Sequence, residues 1–288
     1  MNAPASAADG TAWAMALFQV SVLKQQKWEQ VRAMLGPTGG LRCFDLGADN
    51  GILSYLLRRH GGSWASADLE EAAVASIRSL VGTDVHQLDG ARCPFRDGEF
   101  DRVVIIDLLE HLEDDRAFIR ELHRVMKPDG ELIVNVPHVK DSWLRRFRLW
   151  IGQTDAEHGH VRSGYTLESL RQVLGRDFTV LESRTYSKCF TETVDTLITW
   201  AARSMQRKSP AAPRKGTVVT ADDLQRHRKL FLVYRVIYPV MWLMSRLDRL
   251  LEWRSGYMLI ARARRALQKA DTVSAAAGRA AYAASGGR

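Results

Sequence analysis

The sequence predicts a doubly wound, mostly parallel α/β sheet, and three observations predict it. Between residues 41 and 136 short apolar runs alternate with helix-patterned stretches, the signature of repeated strand–helix–strand units. The first run opens into a glycine-bearing turn, Gly47-Ala48-Asp49-Asn50-Gly51, directly ahead of a helix. The second and fourth runs end on carboxylates, Asp68 and Asp107, at the rim where open α/β sheets bind ligands.

The elements follow in order. Strands are expected at 41–46, 63–68, 85–88, 102–107 and 131–136, with helices at 52–60, 70–81 and 114–126 in the gaps. Phe118, Leu122 and Val125 share one face of the last helix, and Lys127-Pro128-Asp129-Gly130 stops it and turns the chain. After Pro137 the alternation breaks down. A basic aromatic segment from Trp143 to Trp150 precedes a His-rich loop, a helix at 166–174 and a strand at 178–184. An apolar helix at 191–205, a linker with Pro210, Pro213 and Gly216, a long apolar helix at 230–251 and a final strand at 257–263 complete the chain.

This divides the chain into a tail and cap helix (1–35), a core (36–190), a helical insertion (191–256), a last core strand (257–265) and a flexible tail (266–288). The apolar stretch at 12–23 has no preceding Lys or Arg, which argues for a helix of the fold over a signal peptide. Three scattered cysteines, Cys43, Cys93 and Cys189, exclude a disulfide framework and a thiolate metal site, so a reducing, cytoplasmic setting is expected. Of the net charge of +8, residues 203–288 carry +13 and the first 202 carry −5, so the C-terminal part is the basic one.

The turn after the first strand lacks the G-x-G-x-x-G spacing that seats a pyrophosphate, which disfavours a hydride-transfer enzyme. Asp45, just ahead of it, would repel a pyrophosphate and suits a ligand carrying an ammonium group. Asp68, 23 positions further on, is placed to accept both hydroxyls of a ribose. Asp89-Gly90 after the third strand reads equally well as a plain turn.

With Asp45-Leu-Gly47-Ala-Asp49-Asn-Gly51, Ala67-Asp68-Leu69, Gln87-Leu-Asp89-Gly90 and Asp107-Leu108-Leu109-Glu110-His111 in this order and spacing, the chain resembles the class I S-adenosylmethionine-dependent methyltransferases. The resemblance is to the group whose first motif reads D-x-G-x-G-x-G and whose fourth strand is followed by Leu-Glu-His, and it covers residues 35–136. It implies a Rossmann-like sheet of seven strands, the last antiparallel, with the C-terminal helical insertion before that strand. It also implies S-adenosylmethionine as cofactor, held by Asp45, Gly47, Asn50, Gly51, Asp68, Leu69, Asp89, Gly90, Asp107 and Leu108, with Asp89 on the adenine amino group. Asp49 departs from the motif's middle glycine, a position that Asp tolerates better than most residues.

A sulfonium donor already carries the charge that makes its methyl transferable, so the protein mainly aligns the reactants. A neutral hydroxyl acceptor also needs a base, and His111 is the expected one, with a structural hydrogen-bonding role as its alternative. The quinone-pathway O-methyltransferases that the chain resembles carry Glu-x-x-Glu-His where this chain has Asp107, Glu110 and His111. The shorter Asp107 argues against a metal there, and none is expected.

The helix at 230–251 is strongly apolar yet interrupted by Arg235 and Pro239, which argues against a membrane span. Two readings remain open. It lies in the interface of an anionic membrane, with Tyr234, Tyr238 and Trp242 at headgroup depth and Arg226, Arg228, Lys229, Arg246 and Arg249 on the lipid, or it packs in a core or dimer. The acceptor expected is an oxygen on a lipid, a quinone or a lipid-linked sugar. The rivals are a soluble small-molecule acceptor and a non-catalytic cofactor-binding protein of the same fold. No nucleic acid is expected, because no Asn-Pro-Pro-Tyr-like segment follows the fourth strand.

Overall fold

The computed structural model describes residues 7–48, 50–90, 92–140, 161–193, 196, 228–251 and 253–267. The readings of Asp49, of residues 143–150, of the histidines in the loop that follows them, of most of the 191–205 helix and of the tail from 268 concern residues outside these. Two helices, α1 (Ala7–Gln19) and α2 (Val22–Leu35), precede the sheet. Then come β1 (Arg42–Leu46), α3 (Ile52–His60), β2 (Ser63–Asp68), α4 (Glu71–Val81), β3 (Val85–Gln87) and β4 (Phe100–Ile106). A 3-10 turn (Leu109–His111), α5 (Asp115–Val125), β5 (Met126–Pro137), α6 (Leu167–Leu174), β6 (Phe178–Tyr186), α7 (Arg228–Leu247) and β7 (Met258–Arg265) follow.

The seven strands lie in the order β3-β2-β1-β4-β5-β7-β6. β7 is antiparallel to both its neighbours, whereas the pairings among β1 to β5 are parallel. This is the architecture that the resemblance implied. The chain winds from β1 outward to β3 and then crosses back to β4, so the order reverses between β1 and β4.

Period-2 alternation in doubly buried strands supplies a core on each face. Phe44, Leu46, Val103, Ile105, Leu132 and Val134 pack with Phe118, Ile119 and Leu122 of α5 and Leu170 and Leu174 of α6. Cys43, Val104, Ile106, Ile133 and Ile260 point the other way, onto Val31, Met34 and Leu35 of α2, Ile52, Leu53 and Leu57 of α3, and Val74 and Ile77 of α4.

Three expectations are corrected. The stretch 12–23 is not one helix, because the chain breaks at Val20 and Ser21, whose hydroxyl caps α2 by accepting from the Lys24 amide at 3.4 Å. β5 begins at Met126 rather than 131. Met126 pairs with Phe100, the ladder then shifts register before Arg102 and Glu131, and Asp129 takes φ +64° inside the resulting bulge. β6 runs two residues beyond 184, ending at Tyr186, whose side chain is buried.

Candidate active site

In open α/β sheets the crevice beyond the carboxyl ends of the strands, where the strand order reverses, is where ligands bind. Here that crevice lies between the turn after β1 and the segment after β4. The β1 turn is pinned at both ends by glycine. Gly47 has φ +76°, and a Cβ there would lie 2.2 Å from the Ile106 carbonyl oxygen. Gly51 has φ +83°, and a Cβ there would lie 2.7 Å from the Ile77 Cα. Both positions therefore need glycine for backbone conformation and for close packing.

A nucleotide site calls for a carboxylate at the next rim position, and Asp68 supplies it at the end of β2. Its Oδ1 accepts from the Glu70 amide at 3.1 Å, which fixes the carboxylate at the rim. Leu69 beside it is partly buried against the core. Asp89 and Gly90 are exposed, with Gly90 at φ +62° and the Arg92 amide 3.4 Å from the Asp89 carbonyl. That is a plain turn in form.

Asp45 is corrected. Its side chain is fully buried and accepts from Ser54 at 2.5 Å and Ser66 at 2.7 Å, with an Arg58 nitrogen 3.5 Å away. Burial pushes its carboxyl up, while Arg58 and the two serines pull it down. A carboxylate held on three sides beneath the turn ties β1 to β2 and α3, and it is not presented to a ligand's ammonium group.

At the end of β4, Asp107 takes φ +48°, an uncommon conformation for a residue with a side chain. Its Oδ2 is ion-paired with Lys27 of α2, and its Oδ1 accepts from the Asn135 amide at 2.8 Å. The Tyr186 hydroxyl donates to Asn135 Oδ1 at 2.6 Å, and burial raises that hydroxyl well above its ordinary value, so it remains a donor. Leu108 turns into the core. On the opposite wall Asn50, almost wholly buried, accepts from the Ile52 amide at 3.4 Å and from Lys24 Nζ at 3.2 Å.

The 3-10 turn brings Glu110 and His111 next to this rim. His111 is half-buried. Glu110 is fully buried, neither of its carboxylate oxygens has a hydrogen-bond partner, and its carboxyl is pushed up to about 8, first by burial and second by Asp107. Its backbone carbonyl accepts from the Val161 amide at 2.9 Å. Arg162 clamps that returning loop by pairing with Asp115 and donating to the Leu112 carbonyl at 2.8 Å. Among the described residues no group of three or more His, Cys, Asp or Glu could hold a metal ion.

Sequence reasoning did not find Lys24, Lys27, Asn135 or Tyr186. The lysines stand three apart on a helix, which a sequence reader takes for a solvated face. Asn135 and Tyr186 sit inside strands, where they read as ordinary pleated positions.

Residues 44–134 match the family described as a methyltransferase domain. The ubiquinone biosynthesis O-methyltransferase of Pseudomonas aeruginosa (strain LESB58) is 33% identical over 114 residues, covering 38% of this chain and 48% of that protein. The demethylmenaquinone methyltransferase of Clavibacter sepedonicus is 33% identical over 121 residues, covering 40% and 49%. The chain thus spans about half the length of the curated relatives it matches. An S-adenosylmethionine-dependent methyltransferase structure from Mesorhizobium loti superposes with TM-score 0.50 at 20% identity, over 83% of this chain and 97% of that one. The [4+2]-cyclase SpnF superposes with TM-score 0.54 at 17% identity, over 85% and 82%.

Residues 44–134 thus match a methyltransferase domain, and the sheet has the fold of the S-adenosylmethionine-dependent methyltransferase class represented by the Mesorhizobium loti structure. The class implies S-adenosylmethionine as the methyl donor, and the rim residues fit it. Asp68 offers acceptors for ribose hydroxyls, Asp107 offers a carboxylate, and Lys24 and Lys27 offer ammonium groups.

Proposed function

We propose that the protein is an S-adenosylmethionine-dependent methyltransferase that acts on an oxygen of a quinone-type or related lipid-borne acceptor at the inner surface of a membrane. The observation that carries the reading is the match of residues 44–134 to a methyltransferase domain, with Asp68 at the end of β2 and Asp107 just after β4, on either side of the β1 turn. The SpnF neighbour is a cyclase, so fold alone does not choose the chemistry. The names of the curated relatives favour methyl transfer to a quinone precursor.

Bound S-adenosylmethionine supplies a methyl carbon already activated by its positively charged sulfur. Asp68 accepts the ribose hydroxyls. Asp107, oriented by Lys27 and Asn135, presents a carboxylate at the end of β4. We assign His111, half-buried on the 3-10 turn at the same rim, as the base for a hydroxyl acceptor.

The membrane part of the proposal rests on α7. No helix among the described residues is long and apolar enough to cross a membrane. Val236, Val240 and Leu243, spaced i, i+4, i+7, nevertheless form an exposed apolar stripe, with Trp242 beside it and Leu250 and Trp253 exposed beyond the helix. Arg246 lies 4.8 Å from the Trp242 ring centroid and Arg254 4.7 Å from that of Trp253, so each exposed aromatic carries a guanidinium. Apolar residues flanked by aromatics and cations complement an anionic lipid surface. Tyr238 is corrected: its hydroxyl donates to Gln25 on α2 at 3.0 Å, so it faces the protein and not lipid. The side chains of Tyr234, Arg228, Lys229 and Arg249, and the whole of Arg226, lie outside the described residues.

The test offers a polyprenylated catechol in phosphatidylglycerol vesicles, or a soluble catechol, together with S-adenosylmethionine, and measures S-adenosylhomocysteine release. Turnover of the vesicle-borne acceptor, declining with salt and lost in Trp242→Asp/Leu243→Asp, is expected. His111→Ala should lower kcat while cofactor affinity holds. Turnover of the soluble catechol alone would remove the membrane part, and turnover of neither would count against a phenolic acceptor.

A further inference from the structure

The rim carries a second imidazole that the proposed reaction leaves unused. His138 stands one residue beyond β5, at the carboxyl end of the strand next to β4, and is half-buried. Its backbone is tied on both edges. The His138 amide donates to the Tyr257 carbonyl at 2.8 Å, the Val139 amide to the Tyr165 carbonyl at 3.0 Å, and the Tyr165 amide to the Pro137 carbonyl at 2.8 Å.

The ring is fixed as well. His138 Nδ1 lies 2.9 Å from the Gly256 carbonyl oxygen. A carbonyl only accepts, so Nδ1 carries the proton and, in the neutral ring, Nε2 is a bare acceptor. The anchor is itself held in place. The Gly256 amide donates to Thr185 Oγ1 at 3.0 Å, and a Cβ at Gly256 would lie 1.9 Å from the Tyr186 carbonyl oxygen. Nε2 lies across the ring from the Gly256 bond, turned away from the entry to β7, and has no partner among the described residues.

On the methyltransferase reading the nucleoside lies at Asp68 on β2 and the reactive methyl beyond β1 and β4, so the acceptor comes in over the ends of β4 and β5. His111 follows β4 and His138 follows β5. The first imidazole is assigned to the hydroxyl that is methylated. The second presents a lone pair that only a donor can satisfy. We propose that His138 is a specificity-determining residue: its Nε2 accepts a hydrogen bond from a hydroxyl of the acceptor other than the one methylated, and so selects which oxygen of a dihydroxylated ring faces the cofactor. This inference rests on the methyltransferase reading with a phenolic acceptor, and its readout, the position of the methyl group, is separate from whether transfer occurs.

The experiment supplies S-adenosylmethionine with an unsymmetrical polyprenylated catechol in phosphatidylglycerol vesicles, and with an unsymmetrical methylcatechol in solution. Each has two inequivalent hydroxyls, and chromatography separates the two isomeric monomethyl ethers. The wild type should favour one isomer. His138→Asn keeps a side-chain N–H for the Gly256 carbonyl but lacks the distant acceptor, so it should shift the isomer ratio toward unity by about twofold to tenfold, the range of one neutral hydrogen bond. His138→Gln carries an acceptor at about the reach of Nε2 and should keep the wild-type ratio. A ratio that the Asn variant leaves unchanged, or that the Gln variant shifts as far, would make the ring a structural anchor and overturn the proposal. Equal amounts of both ethers from the wild type would overturn it too and leave the methyltransferase reading standing. If neither catechol is turned over, the phenolic reading falls and the proposal falls with it.

Discussion

Glu110 stores a pH-dependent penalty whose size can be worked out. A glutamate with an ordinary value of 4.5 is here pushed up to about 8 by burial and by Asp107. The folded protein therefore keeps a proton that the unfolded chain releases above 4.5. Below that value both states are protonated and the group contributes no pH dependence. As pH rises from 4.5 to about 8 the folded state binds more protons than the unfolded one, so stability falls by about 1.4 kcal/mol per pH unit, or about 5 kcal/mol across the window. Above about 8 both states are ionised and the loss is complete. Glu110→Gln keeps the shape and cannot ionise. It should match the parent within ~1–3 kcal/mol at pH 5, the cost of an amide left without partners, and should exceed it at pH 9 by up to about 5 kcal/mol. Urea unfolding of both proteins at half-unit steps from pH 5 to 9 measures the difference, which cancels every other titrating group. A difference that does not change with pH would refute the reasoning and mean that the carboxylate finds water or a cation in solution.

Two further outcomes follow from the rim and from what lies beneath it. Asp68→Asn, which keeps the size of this buried side chain and the oxygen that accepts from the Glu70 amide, should weaken S-adenosylmethionine binding by about tenfold to a hundredfold in calorimetry while leaving the protein folded. Asp45→Asn should instead cost about 3–5 kcal/mol in urea unfolding, since it leaves the Arg58 guanidinium beneath the β1 turn without its carboxylate. Unchanged stability together with lost cofactor binding would return Asp45 to the ligand.

The contrast between these two aspartates shows what was legible in the sequence. Strand ends and their carboxylates can be located from alternation and turn residues, and the place of Asp68 at the end of β2 needed nothing more. Whether a carboxylate at a strand end faces the ligand or the sheet depends on residues far away in sequence. Ser54, Ser66 and Arg58 converge on Asp45 only once α3 and β2 are packed, and no local pattern announces that. The start of β5 was missed for a related reason. Lys127-Pro128-Asp129-Gly130 has the composition of a turn, and it does bend the chain, but Phe100 offers a pairing partner at Met126 before the bend.

Tyr238 marks another limit. Periodicity shows that α7 has an apolar face, yet only the partner Gln25 shows which aromatic is already committed. Lys24 and Lys27 were illegible for the opposite reason. They look solvated by composition, and their position follows from α2 docking its other face on Ile133 and Ile260.

Asp248, just beyond α7, collects the amides of Lys188 at 3.0 Å, Phe190 at 2.9 Å and Thr191 at 3.1 Å. The chain thus leaves β6 and returns toward β7 through a single buried knot, like a loop of rope cinched at its base. Whatever length of polypeptide lies above the knot is closed off from the sheet energetically, because doubling a closed loop costs only about 0.6 kcal/mol. Residues above it can change in number at little cost in loop entropy while β6 and β7 keep their register, so long as Tyr238 of α7 keeps its contact to Gln25 of α2. The part of the molecule that would meet an acceptor can then diverge at a pace of its own, independent of the half that holds the cofactor.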